Sequence, residues 1–170
     1  MNTTQIHVYA VCINDREPEN LWFVMKKLDD PLATSGNIVV DLPHVDITAT
    51  CMAGDPAERA VHRFTEIGFN FEGGPPVTAT RAIDRANLQV CLPHYFTPKT
   101  TRLFDQPSML PAGYIWVSQT MLADKHKLPD PMPYAEIVQG FIDAAVSARR
   151  MARVAATVSQ HLATGCMMRL

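Results

Sequence analysis

Two histidines and an aspartate near the ends of strand-like runs are the residues of this chain best suited to acid–base or metal chemistry. His44 and Asp46 are two positions apart. On a strand they would share a face, where a carboxylate can orient an imidazole or bind a metal ion with it. His94 follows another valine-containing run and could join them from a second strand end. A solvent-facing pair at a sheet edge would have the same spacing, and the chain has no His-x-x-x-His motif. The sequence therefore predicts no metal and no cofactor, and a small-molecule enzyme using these residues is the least favoured of three functions.

The segment 94–104 mixes aromatic, basic and hydroxyl side chains, as do many surfaces that bind single-stranded nucleic acid. Aromatic rings stack on bases, and lysine or arginine neutralises phosphates. The same mixture occurs in loops that pack on their own aromatic residues. The net charge of −2 and the pI near 6.3 also give no global attraction to a polyanion. Binding of single-stranded RNA or DNA is therefore the second of the three functions, with candidate contacts Tyr95, Phe96, Lys99 and Arg102.

Motifs that usually mark a catalytic or phosphate-binding loop are absent. There is no Gly-x-Ser-x-Gly and no glycine-rich phosphate loop, and the glycines and prolines of 73–76 are interpreted as a turn. The cysteines are widely spaced and form no Cys-x-x-Cys pair, so the sequence does not support a zinc or redox motif. Three of them are expected to be buried free thiols and the fourth to be accessible beyond the last helix: Cys12, Cys51 and Cys91, and Cys166.

Length and composition fit one domain over residues 1–170. Hydrophobic residues make up 47% and charged residues 19% of the 170 positions, which is ordinary for a protein with a sizeable core. No apolar run approaches the roughly 20 residues of a membrane span, and the first residues lack the pattern of a signal peptide. We therefore expect a cytoplasmic protein that does not insert in membranes.

The pattern of apolar residues and turn signals predicts an α+β fold with a mainly antiparallel sheet. A sheet-and-helix core is expected over about 5–122. Within it, helices are predicted behind Pro18, ending before Asp29, and from 56 to 67 between Asp55 and Gly68. The order strand, helix, strand, strand, helix, strand would fit a ferredoxin-like sheet. That order requires two strands around Pro43, and one kinked strand there would give a different α+β sheet. Predicted strands cover 5–13, 37–42, 45–52, 69–72, 77–83, 88–96 and 114–121, and 97–113 is expected to be irregular.

A long amphipathic helix is predicted over about 133–164. Pro133 suits a first helical turn, and Gly165 is placed where a C-terminal cap would be expected. One apolar arc runs the whole length of this helix and is rich in alanine, so we expect it to pack closely on the core.

The opposite face of this helix supports the favoured function. It carries apolar residues among basic ones, which is unusual for a solvated face. We expect a non-enzymatic protein that acts through protein contacts, either as a homo-oligomer or as a subunit of a larger assembly. The predicted partner-binding residues are Ile142, Val146, Val154, Arg149, Arg150 and Arg153.

Overall fold

The computed structural model describes residues 4–29, 38–49, 55–84, 89–100, 102–106, 109–124, 126–128 and 134–167. It confirms the predicted α+β class, with mainly antiparallel sheets and a long C-terminal helix. The strands are β1 (Thr4–Val11), β2 (Ile13–Asn14), β3 (Trp22–Leu28), β4 (Ile38–Asp41), β5 (His44–Ala49), β6 (Phe71–Pro76), β7 (Arg81–Asp84), β8 (Gln89–Pro98), β9 (Tyr114–Ser118) and β10 (His126–Lys127). The helices are α1 (Pro56–Ile67), α2 (Arg102–Asp105), α3 (Gln119–Asp124) and α4 (Tyr134–Met167).

The described strands form two sheets. The first has the order β5-β1-β8-β6, with β7 also paired to β8, and the second has the order β10-β4-β3-β2, with β9 also paired to β3. The chain passes between the sheets from β1 to β2 across Cys12, and from β4 to β5 across Leu42 and Pro43. The carbonyl of Pro43 accepts a hydrogen bond from the Ala10 N–H at 2.8 Å. Pro43 therefore marks a change of sheet.

Helices cover both faces of the strands. On one face α1 packs on the first sheet, and on the other face the first half of α4 packs across both sheets. The middle of β3 is buried on both sides, because Val24 belongs to the core under α1 while Phe23 and Met25 belong to the core under α4. Prominent members of the core under α1 are Ala57, Ala60, Phe64, Phe71 and Phe96, and those of the core under α4 are Tyr9, Phe23, Ile137, Val138 and Phe141.

Helix α1 confirms the predicted bounds of 56–67. The Asp55 carboxylate accepts a hydrogen bond from the Ala57 N–H at 3.0 Å, which satisfies one of the free N–H groups of the first turn. Gly68 ends the helix with φ of 115°, a backbone conformation that a side chain would strain.

The helix predicted behind Pro18 is wrong, since residues 22–28 form β3. The strand pairs with β9 from Trp22 opposite Ser118 to Lys26 opposite Tyr114. A strand buried on both faces reads as a continuous apolar run, and such a run also fits helical spacing over a few residues. Without this helix, the ferredoxin-like order of elements is not formed.

The glycine–proline segment 73–76 belongs to β6 and does not form the predicted turn. β6 lies at the edge of the first sheet and pairs with β8, with a register shift between Gly73 and Pro76. Proline is tolerated there because an edge strand has one side free of ladder hydrogen bonds.

Helix α4 spans 34 residues, which corresponds to about 51 Å. It continues through Gly165 to Met167, so the predicted C-terminal cap at Gly165 is wrong, and Cys166 lies within the helix rather than beyond it. The predicted first residue, Pro133, lies outside the described residues. Within the part of the chain that is described, no helix combines the length and the apolar character needed to cross a membrane.

Candidate functional site

His44 and Asp46 belong to a cluster of ionisable side chains on the α4-covered face of the first sheet. The register of β1 and β5 sets His7 opposite Asp46 and Tyr9 opposite His44. His7 Nδ1 is 2.5 Å from Asp46 Oδ1, and the His44 ring stacks on the Tyr9 ring with 4.8 Å between centroids. The two predicted residues therefore share a face, and each contacts a residue of β1.

Buried groups close the inner side of this cluster. The Asp41 side chain is 9% exposed, and its Oδ2 is 3.6 Å from His44 Nδ1. Burial raises the pKa of the Asp41 carboxyl. The Tyr9 hydroxyl is hydrogen-bonded to Cys91, and burial raises the pKa of the Cys91 thiol to about 12. Cys12 and Cys91 are the predicted buried free thiols, whereas Cys51 lies outside the described residues.

The cluster contains the residue types of a general base, but the nitrogen that would act as the base is not accessible. Asp46 bonds one nitrogen of His7, which would leave the other nitrogen, Nε2, to remove a proton. Within the described part of the chain, His7 Nε2 is buried and has no hydrogen-bond partner, and the same holds for Asp41 Oδ1. Because a general base must contact the proton that it removes, the covered nitrogen does not favour catalysis. No group of three or more His, Cys, Asp or Glu side chains in the described ranges is arranged to hold a metal ion.

His94 does not join this cluster. It lies two residues before Phe96 on β8, and Phe96 contacts Phe64 of α1 with 5.1 Å between ring centroids. His94 is therefore on the α1 side of the sheet, opposite the face that carries His44. It is 7% exposed, and its Nδ1 is 2.8 Å from the carbonyl oxygen of Gly74. The sequence could not show this, because the position of a histidine near the end of a strand does not indicate on which face of the sheet its side chain lies.

The nucleic-acid contacts predicted in 94–104 are only partly at the surface. Phe96 is 2% exposed within the core under α1, so the prediction that it stacks on a base is wrong. Tyr95 is half-buried against the core under α4, on the other face of the strand. Lys99 and Arg102 are exposed. Alternation along β8 therefore separates the two aromatic rings that the prediction combined.

The predicted partner-binding face of α4 is also partly buried in the core. Ile142 is 3% exposed and belongs to the core, and Val146 packs against the same core. The prediction that Ile142 projects from the domain is wrong, because the two sheets bury a wider arc of α4 than its alanine stripe, and Val146 is half-buried. That arc also includes the expected residues Ile137, Val138, Phe141 and Ala145.

Beyond Val146 the helix leaves the core. Every residue from 147 to 164 is exposed, including the alanines that were expected to pack. Arg149 pairs with Asp15 at 3.3 Å, and Arg153 pairs with Glu19 at 3.1 Å. These ion pairs attach one side of the helix to the segment before β3, and Arg150 forms no ion pair within the described residues.

A stripe of large apolar side chains lies on the side of α4 that faces away from Arg149, and Arg150 and Arg153 border it at Val154. We name this set the distal stripe. At about 100° per residue it occupies an arc of roughly 80° whose centre is far from the directions of Arg149 and Arg153. Its members and their exposed fractions are Met151 (72%), Val154 (63%), Val158 (52%) and Leu162 (67%). Val154 is the one predicted apolar contact that remains exposed.

Comparisons with known proteins concern the fold. No protein-family model and no curated protein sequence matches this chain. A protein from Sinorhizobium meliloti, provisionally described as an oxidoreductase, superposes with a TM-score of 0.50 and 14% identity over 85% of this chain and 40% of its own length. A NUDIX hydrolase from Nitrosomonas europaea superposes with a TM-score of 0.47 and 17% identity, over 86% of this chain and 90% of its own length. The E. coli ORF135 protein superposes with a TM-score of 0.47 and 12% identity, over 86% of this chain and 93% of its own length. This chain spans less than half of the first protein, and no function follows from these identities.

Proposed function

We propose that this protein acts through protein contacts as a homo-oligomer, and that the distal stripe of α4 is the surface through which two copies pair. The observation that carries the proposal is a helical segment of 18 residues, 147–164, which is exposed throughout and bears four large apolar side chains on one face. The segment spans about 27 Å.

A packing partner would stabilise a helical segment of this kind. Most helical stability in proteins comes from burying an apolar face, and isolated helices of this length are marginal in water. Full burial of a methionine, valine or leucine side chain contributes roughly 1.5–3 kcal/mol. Pairing of the distal stripe would therefore stabilise both the helix and the assembly.

A second copy of the chain is the partner that fits this surface best. Residues 154–164 contain no Asp, Glu, Lys or Arg, so two copies can approach without repulsion between like charges. Ala148 and Ala155 flank the stripe and allow close approach of helices. A two-fold pairing would bring the same surface of each copy together, as in most homodimers.

The oligomeric state tests the proposal directly. Light scattering after chromatography should give the mass of a dimer for the wild type and of a monomer for Val158→Glu, because an interface would bury the new charge. Gln160→Glu is the matched control, since it adds the same charge on the opposite side of the helix and should remain a dimer. A wild type that is monomeric at high concentration would contradict the proposal.

A further inference from the structure

An aromatic pocket lies on the second sheet, where Trp116 packs against the core under α1 and not against the core under α4. It has a volume of about 250 Å³ and is lined by Asn14, Arg16, Glu17, Trp22, Phe104 and Trp116. Trp22 and Trp116 come from the neighbouring strands β3 and β9, and Phe104 comes from α2. The Phe104 and Trp116 rings are 5.7 Å apart, and the Trp116 Nε1–H donates to the carbonyl of Leu103 at 3.3 Å. These contacts hold α2 against β9 and form one wall of the pocket.

The charges around the pocket leave one carboxylate unmatched. Arg16 forms an ion pair with Asp105, and Asp15 and Glu19, on either side, pair with arginines of α4. Glu17 is exposed at the pocket and has no ion pair among the described residues. The site therefore combines three aromatic rings with one free negative charge.

One cation already occupies an aromatic face of this group. The guanidinium carbon of Arg16 is 5.7 Å from the centroid of the Phe104 ring, within the range of a cation–π contact. Its charge is neutralised by Asp105, so it does not balance Glu17. The remaining tryptophans are the aromatic residues that attract cations most strongly.

We propose that this pocket binds a quaternary ammonium group, with Trp22 and Trp116 against its methyl groups and Glu17 balancing its charge. A primary ammonium has three N–H donors to satisfy, and besides the Glu17 carboxylate the pocket lining offers few acceptors, since the side-chain oxygen of Asn14 already accepts from the Arg16 backbone N–H at 3.0 Å. A methylated ammonium requires none, and its weakly hydrated surface suits aromatic walls. The volume is below the roughly 300 Å³ of a drug-sized pocket, which matches a single compact group.

The group could belong to a free small molecule or to a methylated lysine side chain, and the titration separates these sources. Choline and the amide of Nε-trimethyllysine would be titrated separately, with tryptophan fluorescence or calorimetry as the readout. We expect choline to bind at least fivefold more tightly than 3,3-dimethylbutanol, its uncharged analogue of the same shape. Tighter binding of the trimethyllysine amide than of choline would identify a methylated lysine side chain as the source.

Two variants make the test specific. Glu17→Gln should weaken choline binding by about threefold to tenfold while leaving binding of the uncharged analogue unchanged, because only the cation interacts with the carboxylate charge. Trp22→Leu should weaken binding of the cation more than that of the analogue. Glu72→Gln, at an exposed glutamate of β6, is the matched control and should bind as the wild type does.

The result that overturns the proposal is equal binding of choline and 3,3-dimethylbutanol. Absence of binding by both ligands to folded protein would overturn it as well. Tight binding of a planar uncharged ring such as adenosine, with none of choline, would show that the pocket stacks heteroaromatic rings instead.

Discussion

The carboxyl group of Asp41 is buried, and its burial outweighs the groups that stabilise its charge, which are His44, the Leu42 N–H and Lys26. Its ion-pair partner, His44 Nδ1, is 3.6 Å away, which is too long for a hydrogen bond. Its other oxygen has no hydrogen-bond partner among the residues that the structure describes. Burial therefore dominates and raises the pKa of Asp41, so the folded protein holds this proton more tightly than the unfolded chain.

Asp41→Asn should stabilise the protein at neutral pH. When the folded pKa of an acid exceeds its unfolded value, the stability that it contributes is full below the unfolded pKa, about 4, and is lost as the pH rises through the folded pKa. Asparagine has no charge to bury, so the variant avoids this loss. Urea unfolding at pH 7 and at about pH 3 measures it: the variant should have the higher midpoint at pH 7, and the difference should shrink in acid.

An exposed carboxylate supplies the control for this prediction. Asp124→Asn, in α3, should leave the unfolding midpoint nearly unchanged at both pH values. A lower midpoint for Asp41→Asn at pH 7 would contradict the prediction, because it would show that the contacts of the charged carboxylate outweigh the cost of its burial.

Single residues were predicted from the sequence only where their partners are close in the chain. The Asp55 cap depends on Ala57, two residues later, and is confirmed. His7 was missed, although its contact with Asp46 is the shortest in the histidine cluster. That contact depends on the register of β1 against β5, which joins residues 39 positions apart. Local patterns contain no information on such a register.

Helix α4 is one element with two environments. Ala145 is completely buried beneath the helix, whereas Ala152, seven residues later and on nearly the same face, is exposed. Periodicity predicted one continuous core face for both residues, because it reports the surface of the helix and not the extent of the sheets below it.

This difference gives a matched pair of substitutions. Ala145→Leu should reduce the free energy of unfolding by ~1–3 kcal/mol through overpacking. Ala152→Leu should change it by less than about 0.5 kcal/mol, since an exposed position has room for a larger side chain. Chemical denaturation of both variants against the wild type measures the two effects. Equal losses would mean that residues beyond Val146 also pack on the domain.

At the scale of the whole molecule, the class of the fold was predictable and the arrangement of strands was not. Alternating apolar residues and helix caps indicate strands and helices, and these local signals gave the α+β class and α1 correctly. The two sheets instead depend on contacts between distant parts of the chain, such as the parallel pairing of β1 with β8. The exposure of the second half of α4 follows from where those sheets end, so the distal stripe could be located only on the folded domain.

We also expect folding of the helical segment 147–164 to be coupled to association of two copies of the molecule. If residues 147–164 are helical because two copies pack together, dilution should lower the helical content of the wild type, since mass action favours the monomer and an unpaired helix is marginal in water. Far-UV circular dichroism over a range of concentrations measures this change. Val158→Glu should have a low helical signal that does not change with concentration and that the wild type approaches on dilution, and Gln160→Glu should follow the wild type. A wild-type signal that is independent of concentration, in a chain that scattering shows to be monomeric, would mean that the helix is stable without a partner.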